Sequence, residues 1–141
     1  MKVVHLNTFD LLGGAARGAY AIHRGLLDAG IDSVMQVQRK TSDDATVEGP
    51  AGLVGKLNAG LRRRLDRLPL YGYPQGRTAS FSNGWLPGTL RALRRSQPDI
   101  VQLHWIANGF LSAGAVARLP GPLVWTLHDS WAFTRSEEHT S

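Results

Sequence analysis

Residues 2–37 have the sequence KVVHLNTFDLLGGAARGAYAIHRGLLDAGIDSVMQV, which contains the signals of one βαβ unit. Lys2 to Asn7 is a short apolar segment typical of a strand, and it leads into a turn of small residues. Apolar residues then recur at helical spacing as far as Gly30, where the helix is predicted to stop. Ser33 to Val37 is predicted to be a second strand. This order predicts a right-handed crossover in a parallel sheet.

The rest of the chain adds more helices and strands to this pattern. The further segments are a polar, turn-rich stretch from Lys40 to Pro50, an amphipathic helix from Leu53 to Leu68, a helix from Leu90 to Arg95, a buried strand from Ile100 to Trp105, an alanine-rich helix from Ser112 to Leu119 and a buried strand from Leu123 to Leu127. The predicted fold class is therefore α/β, a Rossmann-like three-layer domain with a mainly parallel sheet.

The composition narrows the class of protein. The chain has 141 residues, 43% hydrophobic and 19% charged, as expected for one globular domain. It has no cysteine, which excludes disulfides, thiolate metal sites and a cysteine nucleophile. The net charge of +5 favours anionic partners. No apolar run approaches the roughly 20 residues needed to span a bilayer, and no signal peptide is recognisable, so we expect a cytoplasmic protein.

Three predicted strands deliver glycine or polar residues to their carboxyl ends. Gly13–Gly14 follow the first strand, His104–Trp105 end a central one, and His128–Asp129 follow the last. In open parallel sheets, ligands bind in the crevice beyond the carboxyl ends of the strands. The sequence therefore predicts a ligand site at this edge, built from several strands rather than from one motif.

Each of these residues also has a purely structural interpretation. The glycine pair lets a backbone approach a phosphate at a helix start, but a tight turn also needs glycine. His128 could bond a sugar hydroxyl or a developing charge, although a lone histidine is more often structural. His104 and Trp105 could equally form a core edge with one satisfied polar tip. Dinucleotide, P-loop and metal-ligand spacings are absent, so no cofactor and no metal is predicted.

The helix predicted from Leu53 to Leu68 carries the run Arg62-Arg63-Arg64 off its leucine stripe. A solvated helix face is one explanation of this run. The other is an interfacial helix, with leucines on the headgroup region and arginines on acidic lipids. Nucleic acid is the least favoured partner, because the interleaved aromatic and basic residues of common nucleic-acid modules are missing.

Four segments together resemble the amino-terminal part of the family-four glycosyltransferases. They are Val4–Asn7, Gly13–Arg17, Asp99–Trp105 and Val124–Trp131. The resemblance is closest to the branch that builds bacterial surface and capsular polysaccharides, including colanic-acid-type enzymes, and it covers nearly all of residues 1–134. It implies a GT-B architecture, in which two Rossmann-like domains face each other across a cleft. Residues 1–134 would be an incomplete first, acceptor-side domain.

The resemblance also implies an activity. The parent enzyme would be a hexosyltransferase that moves a sugar from a nucleotide-sugar donor to a glycan or lipid-linked acceptor in polysaccharide biosynthesis. The reaction would retain the anomeric configuration and need no metal. Gly13 and Gly14 would approach the donor diphosphate, and His128, the catalytic candidate, would contact the transferred sugar. The residues expected on the acceptor side are Arg17, His104, Trp105 and Asp129.

The end of the chain departs from this family pattern. Residues 135–141, RSEEHTS, look like the translation of a sequencing adapter, so we expect a non-native tail there. By resemblance the donor-binding residues belong to a second domain, and the chain alone is expected to be inactive. The alternative is a stand-alone Rossmann-like module that binds a phosphate or sugar ligand without catalysis.

Overall fold

The computed structural model describes residues 1–50, Leu61 and residues 89–129. The helix predicted from Leu53 to Leu68 lies outside them, apart from Leu61, which is helical and exposed. The predicted tail at 135–141 and the last residues of the family-like segment, Ser130 and Trp131, also lie outside the described residues.

Apart from helical Leu61, the described residues form five strands and three helices. In chain order they are β1 (Lys2–Phe9), α1 (Gly14–Asp28), β2 (Asp32–Arg39), β3 (Val47–Glu48), α2 (Thr89–Ser96), β4 (Ile100–Leu103), α3 (Ala113–Val116) and β5 (Leu123–Trp125). All five strands are parallel, in the order β3-β2-β1-β4-β5. The predicted α/β class with a parallel, Rossmann-like sheet is confirmed. None of the described helices is long and apolar enough to cross a membrane.

Side chains alternate along each strand, so both faces of the sheet carry apolar residues. A helix packs on each face. On one face, buried residues of β1 and β4 pack against Leu93 of α2. The strand residues in this cluster are Val4, Leu6, Val101 and Leu103. On the other face, Ala19 of α1 packs against Met35, Val37 and Val47 of β2 and β3. The predicted three-layer arrangement is therefore present.

Helix α1 is flanked by glycines with positive φ angles. Gly13, the residue before the helix, has φ 91° and ψ 171°. Gly30 has φ 78°, its N–H donates to the Leu27 carbonyl, and the Ile31 N–H donates to the Leu26 carbonyl. These two bonds form a Schellman motif, which satisfies the last carbonyls of the helix. The predicted stop at Gly30 is confirmed.

Two expectations about strands were wrong. Strand β3 lies in the turn-rich segment from Lys40 to Pro50, where none was predicted; it consists of only two residues, which pair with Met35 and Gln36 of β2. The last strand was expected to be buried, but Leu123, Val124 and Trp125 are 42%, 46% and 40% exposed. β5 lies at the edge of the described sheet and pairs with β4. Apolar composition alone does not distinguish an edge strand from a central one.

Candidate functional site

Three histidines from three strands form one hydrogen-bonded row across the sheet, which we call the histidine row. His5 lies within β1, His104 directly follows β4, and His128 follows β5. Nδ1 of His5 lies 3.0 Å from Nε2 of His104, and Nδ1 of His104 lies 2.9 Å from Nε2 of His128. The neighbouring rings are stacked, with centroids 5.3 and 5.2 Å apart. The row therefore joins the sheet interior to its carboxyl edge.

Strand register explains why these three side chains meet. His5 pairs with Gln102 on β4, and His104 is two residues farther along that chain, on the same face. Gln102 in turn pairs with Val124 on β5, and His128 is an even number of residues beyond it. From β1 to β4 to β5, each histidine thus lies farther toward the carboxyl edge of the sheet, on the face covered by α1.

Burial keeps the inner two histidines neutral. His5 is fully buried and His104 is 2% exposed. Desolvation lowers the pKa of His5 to about 4, with a further contribution from nearby His23. Desolvation also lowers the pKa of His104 to about 3, assisted by His5 and His128. His128 is half-buried, so the row reaches the surface through this residue.

The buried end of the row is incomplete. Nε2 of His5 is buried and has no hydrogen-bond partner among the described residues. Its neighbour His23, on α1, approaches with ring centroids 5.5 Å apart but directs both of its nitrogens elsewhere. They bond to the hydroxyls of Ser33 at 2.7 Å and Thr46 at 2.8 Å. His23 therefore fastens α1 to the β2 side of the sheet and is not a member of the row.

His128 packs closely against the first half of α1. An ideal Cβ added at Gly18 would lie 3.2 Å from Cε1 and 3.5 Å from Nδ1 of His128. The same helix begins at Gly13 and Gly14, and no side chain of the described residues caps that start. The predicted diphosphate-binding glycines and the predicted sugar-contacting histidine thus lie on and against one helix.

The start of α1 has the electrostatic character of an anion site. The first N–H groups of a helix have no partner within the helix, and the macrodipole is positive there. The first turn contains no acidic residue. Arg17 in this turn has an exposed side chain, and its N–H donates to the Gly13 carbonyl at 3.1 Å. These features suit a phosphate group.

A buried carboxylate fixes the loop that leads to this helix. Oδ2 of Asp10 accepts hydrogen bonds from the N–H groups of Thr41 at 2.7 Å and Ser42 at 2.6 Å. Oδ1 accepts from the Thr41 hydroxyl and from the Leu11 N–H. Burial alone would raise the pKa of Asp10, but the hydrogen bonds from Ser42 and Thr41 lower it to about 2. The ionised side chain joins the loops after β1 and β2.

The other predicted site residues have different surroundings. The backbone N–H of Trp105 donates to Oδ1 of Asn7 at 2.8 Å, and the Trp105 ring stacks on the Phe9 ring with centroids 6.2 Å apart. Asp129 follows His128 and is exposed. Both ring nitrogens of His104 bond to other histidines, so this side chain can act on a ligand only through a neighbour. Its predicted place on the acceptor side stays a prediction.

Sequence reasoning missed three residues of this site. His5 and Asp10 lie in the first strand and its loop, and Gly18 lies within α1. A histidine in a strand that is otherwise apolar was a signal for His5, but its partners depend on strand register. Nothing distinguishes Gly18 from Gly25, a later glycine of the same helix, until the contact with His128 is known.

Comparison with known proteins adds the family. A model described as Glycosyltransferase Family 4 matches residues 12–140. No curated protein and no solved structure shows a significant match. The matched region includes most of the chain, with the α1 start, the row residues His104 and His128, and Gly18. The chain therefore belongs to glycosyltransferase family 4.

Proposed function

We propose that this chain forms the acceptor-side domain of a GT-B enzyme that transfers a sugar from a nucleotide-sugar donor to a glycan or lipid-linked acceptor. The enzyme would retain the anomeric configuration, use no metal and serve polysaccharide biosynthesis, as in the colanic-acid-type branch. The observation that carries the proposal is the close approach of His128 to Gly18, on the helix that begins at Gly14 directly after Gly13. It supports one site in which an anion and a sugar lie side by side.

In this proposal the start of α1 receives the donor diphosphate. Gly13 holds a backbone conformation that other residues rarely adopt. Among the described residues, adjacent ones and the helix's own backbone aside, no atom lies within 4 Å of the ideal Cβ positions of Gly13 and Gly14. A phosphate oxygen can therefore approach the backbone N–H groups without side-chain hindrance. Charge that develops on the leaving diphosphate would meet fixed dipoles, which need no reorganisation during the reaction.

His128 is the proposed catalytic residue, because its imidazole would contact the transferred sugar. Its packing against α1 at Gly18, about one helical turn after the start of the helix, supports this role. The imidazole is hydrogen-bonded to His104 and packed against a helix, and both contacts restrain it. Such restraint suits the positioning of a reacting sugar.

The proposed acceptor side contains Arg17, Trp105 and Asp129. The stacked rings of Trp105 and Phe9 provide a flat apolar surface, of the kind that receives the C–H face of a sugar. His104 contributes to the acceptor side only indirectly, through its hydrogen bond to His128. Peripheral contact with acidic lipids through the segment from Leu53 to Leu68 is part of the same proposal. Vesicle sedimentation at low salt tests it, and absence of binding to acidic vesicles would remove it.

Nuclear magnetic resonance titration tests the site itself. Uniformly 15N-labelled chain is titrated to millimolar concentrations with nucleotide-sugars, with the matching nucleosides and with free sugars. We expect nucleotide-sugars to shift the Gly13, Gly14 and His128 signals, while nucleosides leave them unchanged. Unchanged signals with every nucleotide-sugar would overturn the proposed site.

The same samples separate the enzyme proposal from a non-catalytic binding module. The chain alone is expected to release no sugar from the donor. A covalent or mixed assembly with a nucleotide-binding second domain of this family is expected to transfer it. Binding without transfer in the assembly would favour the module.

A further inference from the structure

We infer that His104 and His5 are positioning residues that act through His128. The histidine row determines which ring nitrogen of His128 carries the proton, and it makes Nδ1 of His128 a hydrogen-bond donor at the edge of the sheet. This inference rests on the proposed contact between His128 and the sugar, and it goes beyond that contact by naming the residues that prepare it.

The two hydrogen bonds of the row allow only two arrangements of protons when all three imidazoles are neutral. A neutral imidazole has one N–H donor and one acceptor nitrogen. If Nδ1 of His5 donates to His104, then Nδ1 of His104 donates to Nε2 of His128, whose own proton is on Nδ1. In the opposite arrangement His128 donates from Nε2, His104 donates from Nε2, and His5 carries its proton on Nε2. The direction of one hydrogen bond therefore determines the direction of the other.

The buried end of the row selects between these arrangements. Nε2 of His5 has no partner among the described residues. The second arrangement would leave a buried N–H without an acceptor, and orphaned buried N–H groups are rarer in native proteins than unsatisfied acceptors. The first arrangement leaves only an unused lone pair. It is the favoured one, and it directs the N–H of each histidine toward the carboxyl edge.

The inner two histidines must be neutral for this arrangement of protons, and burial keeps them neutral. Desolvation holds the pKa of both His5 and His104 well below the ordinary value. Near neutral pH each therefore carries a single proton. The row then behaves as one unit, and a change at His104 reaches the proton of His128 through the hydrogen bond between them.

The chemical consequence concerns the ligand. With its proton on Nδ1, His128 donates from the nitrogen that lies toward Gly18 and is not part of the row. A group that bonds to this nitrogen must present an acceptor oxygen, such as a hydroxyl or phosphate oxygen. A free imidazole in water mostly carries its proton on the other nitrogen, so the row reverses the usual preference.

The tautomers can be measured directly on the 141-residue chain without any ligand. Long-range 1H–15N correlation of 15N-histidine chain near neutral pH identifies the protonated nitrogen of each ring, and 15N–15N couplings across the bonds identify the partners. We expect Nδ1–H in His5, His104 and His128, with couplings across both bonds. Nε2–H as the main form of His128 in the native chain would overturn the inference.

Variants test the action through His104. His104→Ala removes the donor to His128, and most of the His128 population is expected to change to Nε2–H. His104→Asn places an amide N–H near the former Nδ1 position and is expected to restore Nδ1–H. His23→Ala is the matched control, since it removes a buried histidine outside the row and should leave the His128 tautomer unchanged. Loss of the tautomer in the His23 variant, or its persistence in His104→Ala, would contradict the inference.

Failure of this inference and failure of the proposed function give different results. A wrong tautomer in the ligand-free chain refutes only the role of the row. An expected tautomer together with His128 signals that no nucleotide-sugar shifts refutes only the proposed sugar contact. If His104→Ala does not fold, the native chain and His104→Asn still decide the question.

Discussion

The ring of His128 packs against α1 at Gly18, where even a methyl group would crowd the imidazole. An ideal Cβ there would lie 3.2 Å from Cε1 of His128, closer than most real Cβ contacts. The neighbouring ring atom Nε2 is bonded to Nδ1 of His104 at 2.9 Å, and this bond restrains the same ring. Gly18 therefore sets the position of the imidazole from the helix side.

Replacement of Gly18 by alanine is expected to give less stability than the same change at Gly25. Glycine within a helix costs roughly 0.5–1 kcal/mol relative to alanine. A Cβ at Gly25 has no atom within 4 Å, so Gly25→Ala should gain this amount. In Gly18→Ala the gain should be offset by displacement of His128. Urea unfolding of both variants measures the difference, and equal gains would show that His128 is not confined by α1.

The loop before α1 should respond differently to alanine at its two adjacent glycines. Gly13 has φ 91°, so Gly13→Ala is expected to cost on the order of 1–3 kcal/mol of unfolding free energy through backbone strain. Gly14 lies within the helix and has open space around its ideal Cβ, so Gly14→Ala should be neutral or stabilising. Urea midpoints compare them. A Gly13 variant as stable as the native chain would argue against the left-handed turn.

The stability of the domain should fall as the pH is lowered below 6.5. Burial lowers the pKa of His5 from 6.5 to about 4 and that of His104 from 6.5 to about 3, so the unfolded chain binds these protons first. Their contribution is fully present above 6.5 and is lost as the pH falls toward 4 and 3. At about 1.4 kcal/mol per pKa unit, the loss amounts to several kcal/mol.

Urea unfolding at a series of pH values measures this loss. His104→Asn, which does not titrate in this range, should show a shallower dependence than the native chain. His23 contributes in the same direction, because burial also lowers its pKa, so some dependence should remain in that variant. A native unfolding free energy that does not change between pH 6.5 and 4 would be inconsistent with neutral buried histidines.

Removal of the Asp10 charge should loosen the loop before α1. Asp10→Asn replaces an acceptor oxygen by an N–H₂ group that faces backbone donors, and leaving such a buried donor unsatisfied costs about 1–3 kcal/mol. Asp43→Asn is the control, because Asp43 belongs to the same loop as Thr41 and is exposed. Urea unfolding and amide exchange at Leu11 to Gly13 report the change. Equal stabilities of the two variants would contradict the role of Asp10.

The elements that local sequence controls were predictable. Helix α1 was predicted because its apolar spacing and Gly30 lie within one short segment. The positions of His104 and His128 at the carboxyl edge of the sheet were predicted from the order of the strands alone. The row was not predictable, because His5 meets His104 only through the pairing of residues 99 positions apart. The exposure of β5 and the pairing of β3 also depend on neighbours that local patterns do not specify.

The stepped positions of the three histidines constrain the lengths of the chain segments that hold them. Adding or deleting one residue between Gln102 and His104 would reverse the alternation and turn the imidazole toward the α2 face. A change of two residues would keep the face but move the ring along the strand, out of reach of His5 or His128. Length changes within this part of the sheet are therefore expected to break the row even where the added residues would suit a strand.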